Sequence, residues 1–569
     1  MHHLSALDAL FLHMETSDMP MHVGGLILLD KPAKHRSSFY KKIREHLISR
    51  MHLAPLFSRR LAFMPLDLVN PIWLGGAEVD LGYHIRHKML PKPGTQAQLE
   101  TMVAQLHEGM LDRDRPLWQF TVIEGLQSGQ VAFASRIHHA ALDGQGGVAL
   151  AQAMFDTEPT PRSVESAEEK AKRLPPSTAK MLSAAFRNTV AQYGKILKAI
   201  PGAVKVVGQV GAMALSSSQA KKAGAPSEQG TGIPELADIK PGDSPEKTVK
   251  SLLKKLPGGI TLGPRTPLNV TISGKRTFVG VQLSLAETKA IARHFDAKLN
   301  DIVMAVVAGA LRHYFAKDAK VLAKAMVGAI PVSLRAPGDT SQSNQVTMML
   351  VNMATQIADP RKRLVAIVAS SNKAKALTGT MKSAVPMDMP SLGIPWLLSI
   401  ISPLYKLAVS TNRIPVVANV VISNVPGPPV ALYLAGAKMT ANFPVSIVTH
   451  GLGLNVTIQS YNGSLDYGLI ACKRTVPDLR KFGDAMQAAH QELLDLMRAD
   501  AEVAALASVV TKPVAKTIAK KKPTVAKAVT SAKQAAKPVA KPVAKPKAKA
   551  KIVGVKLTGG KSKAKASNA

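Results

Sequence analysis

The fold of this chain is decided by one stretch, Arg136-Ile137-His138-His139-Ala140-Ala141-Leu142-Asp143-Gly144. Residues 131–137 alternate bulky apolar with small or polar side chains, which predicts a half-buried strand. Consecutive side chains of a strand point to opposite faces. We therefore expect one imidazole to enter a cleft while its neighbour is held in the scaffold.

A histidine between a strand and a helix suits a general base, because its unperturbed pKa lies near neutral pH. Gly144 and the glycines that follow predict a turn, and apolar residues from Val148 to Phe155 predict a helix. A lone histidine at a strand end is more often structural, but the pattern His-His-x-x-x-Asp-Gly is rare by chance. His2-His3 lacks the aspartate and glycine at that spacing, so no catalytic role is predicted for it.

Length and composition indicate a large α/β protein of several units. The chain has 569 residues, of which 46% are hydrophobic and only 4% aromatic, so aliphatic side chains must fill the core. A single cysteine, Cys472, excludes an internal disulfide and a cysteine-based metal cluster, and it fits a reducing compartment. The N-terminus shows no basic start before an apolar run, so no signal peptide is expected.

The charge is divided unevenly between a body and a tail. The net charge is +35, and residues 511–569 hold 17 lysines and no acidic residue, which leaves +18 (35 minus 17) on residues 1–510. The basic body favours anionic surfaces or phosphorylated ligands such as CoA. The tail repeats Lys-Pro-Val-Ala-like units, which bury too little to fold, and we expect it to be disordered.

Further motifs lie on both sides of the histidine pair in the sequence. They are the opening Leu4–Leu12, the strand Met21–Leu29, Pro116-Leu117-Trp118, Asn300-Asp301, Ser333-Leu334-Arg335 and Ser423-Asn424-Val425-Pro426-Gly427-Pro428. The set resembles the bacterial wax ester synthase/diacylglycerol acyltransferase family, within the acyltransferases related to chloramphenicol acetyltransferase. The resemblance covers essentially residues 4–500, and its one departure is Ser343-Asn344, where Gly-Asn is expected.

The resemblance implies an α/β fold with two chloramphenicol-acetyltransferase-like domains, each a mixed sheet flanked by helices, and an active site between them. We place the N-terminal domain at 1–158, crossover helices and a linker at 159–260, the C-terminal domain at 261–500 and the tail at 501–569. Residues 186–215 read as a basic, weakly amphipathic helix, which either packs as a crossover or lies on a membrane surface.

The implied activity is acyl transfer from long-chain acyl-CoA to diacylglycerol, giving triacylglycerol, or to a fatty alcohol, giving wax ester. Acyl-CoA is a cosubstrate, and neither a cofactor nor a metal is expected. His139 is the predicted general base, and transfer is direct, without an acyl-enzyme. The supporting residues are His138 in the scaffold, Asp143 in an ion pair with Arg335, Gly144 in the turn, Asn300 as an oxyanion donor, and Pro116, Leu117 and Trp118 as a brace.

His84 and His87 lie outside the motif. We predict that they are hydrogen-bonded residues at a strand edge and not metal ligands, because no acidic or cysteine residue accompanies them to complete a metal site. The apolar run 392–405 contains two prolines and is too short to span a membrane. We expect a cytoplasmic protein that attaches peripherally to the anionic surface of the inner membrane or of lipid inclusions. The tail is expected to bind DNA or anionic lipid without sequence preference.

Two other functions stay open. One is a condensation-type acyltransferase that joins carrier-bound acyl groups to an amine, which is less favoured because no carrier-protein or adenylation segment is recognisable. The other is a non-catalytic protein that bridges lipid inclusions and the nucleoid through its tail.

Overall fold

Both halves of the chain contain strands and helices. The computed structural model describes residues 2–4, 6–32, 38–63, 70–142, 144–164, 262–333, 346–382, 403, 405–411 and 415–510. The described strands are β1 (His2–His3), β2 (His22–Asp30), β3 (Arg60–Ala62), β4 (Ile72–Leu74), β5 (Ile85–Met89), β6 (Trp118–Glu124), β7 (Val131–His138), β8 (Arg276–Ser284), β9 (Val327–Ser333), β10 (Val346–Asn352), β11 (Val420–Val425), β12 (Tyr433–Leu434), β13 (Ala437–Val445), β14 (Leu454–Tyr461) and β15 (Ser464–Cys472).

Helices flank these strands. The described α-helices are α1 (Ala6–Met14), α2 (Tyr40–Arg50), α3 (Leu81–His84), α4 (Gln96–Leu106), α5 (Gly144–Met154), α6 (Leu285–His294), α7 (Leu299–Tyr314), α8 (Ala319–Leu322), α9 (Pro360–Lys382) and α10 (Leu479–Val510), and short 3₁₀ turns lie at Met51–Leu53, Pro55–Phe57 and His139–Ala141. Among the described residues, none of the helices combines the length and the apolar character that crossing a bilayer requires.

The strands form two large mixed sheets and one small one. The first sheet has the order β12-β13-β2-β7-β6-β5, the second β10-β9-β11-β14-β15-β8, and the small one β1-β4-β3. Both large sheets are mostly antiparallel, with parallel pairs at β5/β6, β9/β11 and β11/β14. Two sheet-rich domains of mixed topology confirm the predicted fold class.

The first sheet draws strands from both halves of the sequence. β13 pairs with β2 from Lys438 opposite Asp30 to Val445 opposite Gly24. Phe443 on β13 also lies 3.0 Å from the position that a Cβ atom on Gly280 of the second sheet would occupy. A cluster of buried side chains from both sheets fills this region, including Leu26, Ile123, Phe278, Phe443 and Ile470. The domain boundaries at 158, 260 and 500 therefore stay predictions, since β13 belongs to the first sheet by pairing.

The second sheet packs on α7, which shares its hydrophobic core. Every residue from Asp301 to Leu311 is buried, as expected for a helix that is apolar on all sides. Neither Asn300 nor Asp301 is the N-cap, although both residue types are favoured there, because the helix begins at Leu299. Asp301 instead reaches back from the first turn, and its carboxylate accepts the backbone N–H of Lys298 at 3.1 Å.

Two other local expectations differ from the structure. The segment 79–87 holds a helical turn before its strand, because the Asp80 carboxylate accepts the N–H groups of Gly82 and Tyr83 and caps α3. The last helix continues to Val510, inside the segment 501–569 assigned to the tail, because Ala, Glu and Leu favour helix there. Residues 511–569, like 186–215 and most of 392–405, lie outside the described residues, so the expectations for them stay predictions.

Candidate active site

The histidine pair lies where β7 ends. β7 runs in the centre of the first sheet between β2 and β6, and it leaves the sheet at His138. The 3₁₀ turn His139–Ala141 follows, and the His138 ring caps it by accepting the N–H of Ala140 on Nδ1 at 3.1 Å. The strand end and the capped turn place the two rings in different environments.

His138 is fully buried in the scaffold. Its side chain is 0% exposed, and its Nε2 lies 3.5 Å from Oε1 of Glu15, which is also 0% exposed. Burial opposes ionisation of Glu15, but the contacts with His138, the Met21 amide and Arg113 outweigh it and lower the pKa of this carboxyl to about 2. The scaffold behind His138 therefore contains a buried carboxylate at neutral pH.

His139 lies on the other side of the turn and is only partly covered. Its ring stacks on Phe11 of α1, with 3.9 Å between ring centroids and 18° between planes. Its backbone N–H donates to Met21 O at 2.8 Å, and no described residue hydrogen-bonds to its buried Nδ1. Burial lowers the pKa of His139 to about 4, so the ring is neutral at physiological pH and able to accept a proton.

Pro116, Leu117 and Trp118 lie against the strand that carries the pair. Leu117 O accepts the N–H of His138 at 3.0 Å, and Trp118 stands opposite Ile137 in the β6–β7 register. The indole of Trp118 is fully buried, and its Nε1 donates to Phe57 O at 3.1 Å. The bracing role of Pro116, Leu117 and Trp118 stays a prediction, and these contacts of Leu117 and Trp118 are its support.

Four predicted residues are placed less completely. Gly144 is the first residue of α5, whereas Asp143 and Arg335 lie outside the described residues, and their ion pair stays a prediction. Asn300 is exposed at the start of α7, where its side-chain oxygen accepts a hydrogen bond from Asn424 of the motif 423–428. Among the described residues, neither asparagine hydrogen-bonds to His138 or His139.

His84 and His87 make the contacts of structural residues. Nδ1 of His84 donates to Trp118 O at 2.7 Å, and Nε2 of His87 lies 2.7 Å from Glu124 Oε2. Across the part of the chain that the structure describes, no group of three or more His, Cys, Asp or Glu side chains is arranged to hold a metal ion.

Three residues near the pair were missed by the sequence reasoning. Phe11 and Glu15 come from the opening segment, and Arg59 donates to Ala141 O at the end of the 3₁₀ turn while its guanidinium covers the Trp73 ring. Phe11 lies in the opening stretch Leu4–Leu12 that the sequence singled out and Glu15 follows it, but no local pattern pairs either residue with residues 138–141.

Comparisons with known proteins agree with this architecture. The family model described as the wax ester synthase/diacylglycerol acyltransferase catalytic domain matches residues 4–303, and the model of the corresponding C-terminal domain matches residues 342–494. The solved wax ester synthase/diacylglycerol acyltransferase from Marinobacter aquaeolei VT8 is similar with a TM-score of 0.57 and 27% identity, over 87% of this chain and 99% of that chain.

Curated relatives give the same result. A protein of Mycobacterium tuberculosis (strain H37Rv), named as a diacylglycerol O-acyltransferase, is 33% identical over 490 residues, which are 86% of this chain and 99% of the relative. A second protein of the same strain, tgs2, which is also named as a diacylglycerol O-acyltransferase, is 29% identical over 487 residues, 83% of this chain and 94% of the relative.

The fold and these matches define the protein class as an acyltransferase. The chain belongs to the wax ester synthase/diacylglycerol acyltransferase family, which confirms the family predicted from its motifs.

Proposed function

We propose that the chain esterifies diacylglycerol, long-chain fatty alcohols or both with the acyl group of a long-chain acyl-CoA, and that His139 is the general base. The observation that carries this proposal is the state of the His139 ring. It is partly exposed beside Phe11, has no described hydrogen-bond partner on Nδ1, and is neutral at physiological pH. Family membership and the names of the relatives support the substrates.

The proposed reaction is a direct transfer. The acceptor hydroxyl oxygen attacks the thioester carbonyl carbon while the His139 ring takes the hydroxyl proton. The tetrahedral intermediate then collapses, the C–S bond breaks, and the CoA thiolate takes the proton back from the imidazolium. The products are an ester and free CoA, and His139 returns to its neutral form. Neither a nucleophilic side chain nor a cofactor is required.

The developing oxyanion needs preorganised hydrogen-bond donors, each typically worth about 3–4 kcal/mol. Asn300 is the proposed side-chain donor. Its oxygen is engaged by Asn424, which leaves the amide nitrogen as the group able to donate. An Asn300→Ala variant should therefore lose kcat and keep its KM for acyl-CoA, if this role is correct.

The substrate experiment uses the purified full-length protein with palmitoyl-CoA and an equimolar mixture of hexadecanol and diacylglycerol. Release of free CoA and mass spectrometry of the ester identify the acceptor. We expect CoA release to require an acceptor, and the intact mass of the protein to stay unchanged when acyl-CoA is added alone. A stable acyl adduct would rule out direct transfer, and no CoA release with either acceptor would favour the bridging protein. Product with an amine acceptor alone would favour the condensation reaction.

The basic tail is proposed to attach the enzyme to an anionic surface, either lipid or DNA. The 17 lysines of residues 511–569 without any acidic residue are the support for this proposal, because bound polycations release counterions from such surfaces. Deleting 511–569 should leave turnover in detergent intact and weaken binding to phosphatidylglycerol vesicles or duplex DNA. Wild-type binding should fall as salt rises, and binding that survives the deletion contradicts the proposal.

A further inference from the structure

The buried carboxylate of Glu15 contacts three residues behind the histidine pair. Its Oε1 accepts the backbone N–H of Met21 at 3.0 Å and lies 3.5 Å from Nε2 of His138. Its Oε2 accepts two hydrogen bonds from Arg113, at 2.9 Å from Nη2 and 3.3 Å from Nε. Arg113 also donates to Leu12 O of α1 at 2.7 Å, which fixes the guanidinium. Both charge-assisted hydrogen bonds from Arg113 end on this one oxygen, which leaves Oε1 to Met21 and His138.

The hydrogen bonds of His138 fix its tautomer. Its Nδ1 accepts the Ala140 N–H, so it carries no proton, and the ring proton is on Nε2. This N–H group faces Glu15, whose negative charge favours that tautomer. The same ring caps the 3₁₀ turn that begins with His139. Glu15 therefore acts on the conformation of the turn through His138.

A second connection reaches His139 through the main chain. The Met21 N–H is held by Glu15, and Met21 O accepts the N–H of His139 at 2.8 Å. Met21 thus links the Glu15 carboxylate to the backbone of His139. Both restraints, the ring of His138 and the backbone of Met21, converge on the same oxygen of Glu15.

We propose that Glu15, held by Arg113, is a positioning residue that orients His139 by fixing the His138 ring and the Met21 backbone. It touches neither substrate nor reacting atoms. This inference rests on the proposed role of His139 as general base, and it adds a carboxylate that the histidine motif does not contain.

The test compares Glu15→Gln with a matched variant, Glu100→Gln. Glutamine keeps the size of the side chain but presents an NH₂ group either to the Arg113 donors or to Met21 and His138, so one set of contacts is lost. Glu100 is also a buried glutamate that accepts a backbone N–H, that of Gly280 at 3.2 Å, and an arginine, Arg480, but it contacts neither histidine of the pair. Differences between the two variants therefore report on the position of Glu15.

For Glu15→Gln we expect kcat to fall roughly 10- to 100-fold, the range for a misplaced catalytic group. Because no substrate contact is removed, KM for palmitoyl-CoA should stay within about two-fold. Glu100→Gln should keep kcat within about two-fold of the wild-type value, even if its melting temperature falls as far as that of Glu15→Gln. Equal kcat values for the two variants overturn the inference.

A double-mutant cycle tests the route through His138. In a His138→Asn background, the further loss of kcat on Glu15→Gln should be much smaller than in the wild-type background, because the two residues act on the same turn. Fully additive losses overturn the route through His138. Should Glu15→Gln fail to fold, Glu15→Asp replaces it in both measurements, since it keeps the charge and withdraws it by one methylene.

The result separates this inference from the proposed function. If His139→Ala is inactive and Glu15→Gln turns over normally, only the positioning role is wrong. If His139→Ala keeps its activity, the proposed base is wrong, and the positioning role falls with it.

Discussion

The two large sheets of this protein bury different chemistry. Behind β7 in the first sheet lie ionisable side chains, among them Glu15, His22, His107, Arg136 and His138, all of them buried. Against the second sheet lies α7, whose buried face from Ile302 to Leu311 consists of aliphatic residues, methionine, alanine and glycine. The first sheet holds buried ionisable groups near the partly exposed His139, whereas the stretch Ile302–Leu311 against the second sheet is purely apolar.

The contrast indicates that catalysis and stability depend on different regions of the protein. Burying ionisable groups is costly unless they are paired, and each unpaired histidine must stay neutral. Such groups are expected at a site rather than in a core built only for packing. Changes near β7 should therefore alter catalysis and its pH range, whereas changes in the buried stretch Ile302–Leu311 of α7 should alter the free energy of unfolding alone.

The largest effect on stability is expected from Met304→Ala on α7. Met304 is 2% exposed within the core of the second sheet. Removing its side chain should lower the free energy of unfolding by about 2–5 kcal/mol, through lost burial and the cavity left behind. Urea unfolding measures this change, and kcat per folded molecule should stay at the wild-type value. A loss of kcat at unchanged stability would break the comparison between the sheets.

Acid should destabilise the protein through the first sheet. Burial holds the pKa values of His22 and His107 well below 6.5, so below pH 6.5 the unfolded chain binds protons that the folded state does not. Each histidine should therefore remove about 1.4 kcal/mol of stability per pH unit as the pH falls below 6.5. Glu15, with its pKa lowered to about 2, loses its stabilising contribution only below about pH 4.5, outside this window.

The measurement is the free energy of unfolding between pH 7.5 and 5.0 for the wild type and for His107→Phe. The variant should show a shallower slope, by about 1.4 kcal/mol per pH unit. Equal slopes for the two proteins contradict the assignment of a buried, neutral His107.

A smaller effect is expected from Phe11→Ala. The stacked pair of Phe11 and His139 is worth about 0.5–1.5 kcal/mol beyond its buried area. If this contact orients the ring in the transition state, kcat should fall roughly 2- to 10-fold. Phe11→Leu keeps apolar cover without the aromatic face, and a similar fall in both variants identifies stacking, rather than water exclusion, as the cause.

Local patterns predicted much of the fold. The alternation of residues 131–137 predicted β7, and the apolar residues from Val148 to Phe155 predicted the helix α5 that follows. The ordered motifs predicted the family. These features are encoded by neighbouring residues, through side-chain periodicity and capping.

The remaining features depend on contacts between distant segments. The place of β13 beside β2 is set by packing and pairing, and no local pattern specifies which sheet a strand joins. The contacts of Glu15 with His138 and of Arg59 with Ala141 connect segments far apart in sequence. The helix start at Leu299 is not evident from residue type, because Asp301 is a plausible cap but acts from the first turn instead.

The most direct test of the account is CoA release by purified His139→Ala, with His87→Ala as the matched variant. His87 lies in the same domain, with its ring 4.8 Å from that of Tyr40 and hydrogen-bonded to Glu124, away from the pair. We expect His139→Ala to stay folded and to lose turnover with palmitoyl-CoA and diacylglycerol or hexadecanol by about 10²- to 10⁴-fold, the contribution of a general base. His87→Ala should keep nearly all of its turnover. Turnover of folded His139→Ala close to that of His87→Ala would contradict the assignment of the base.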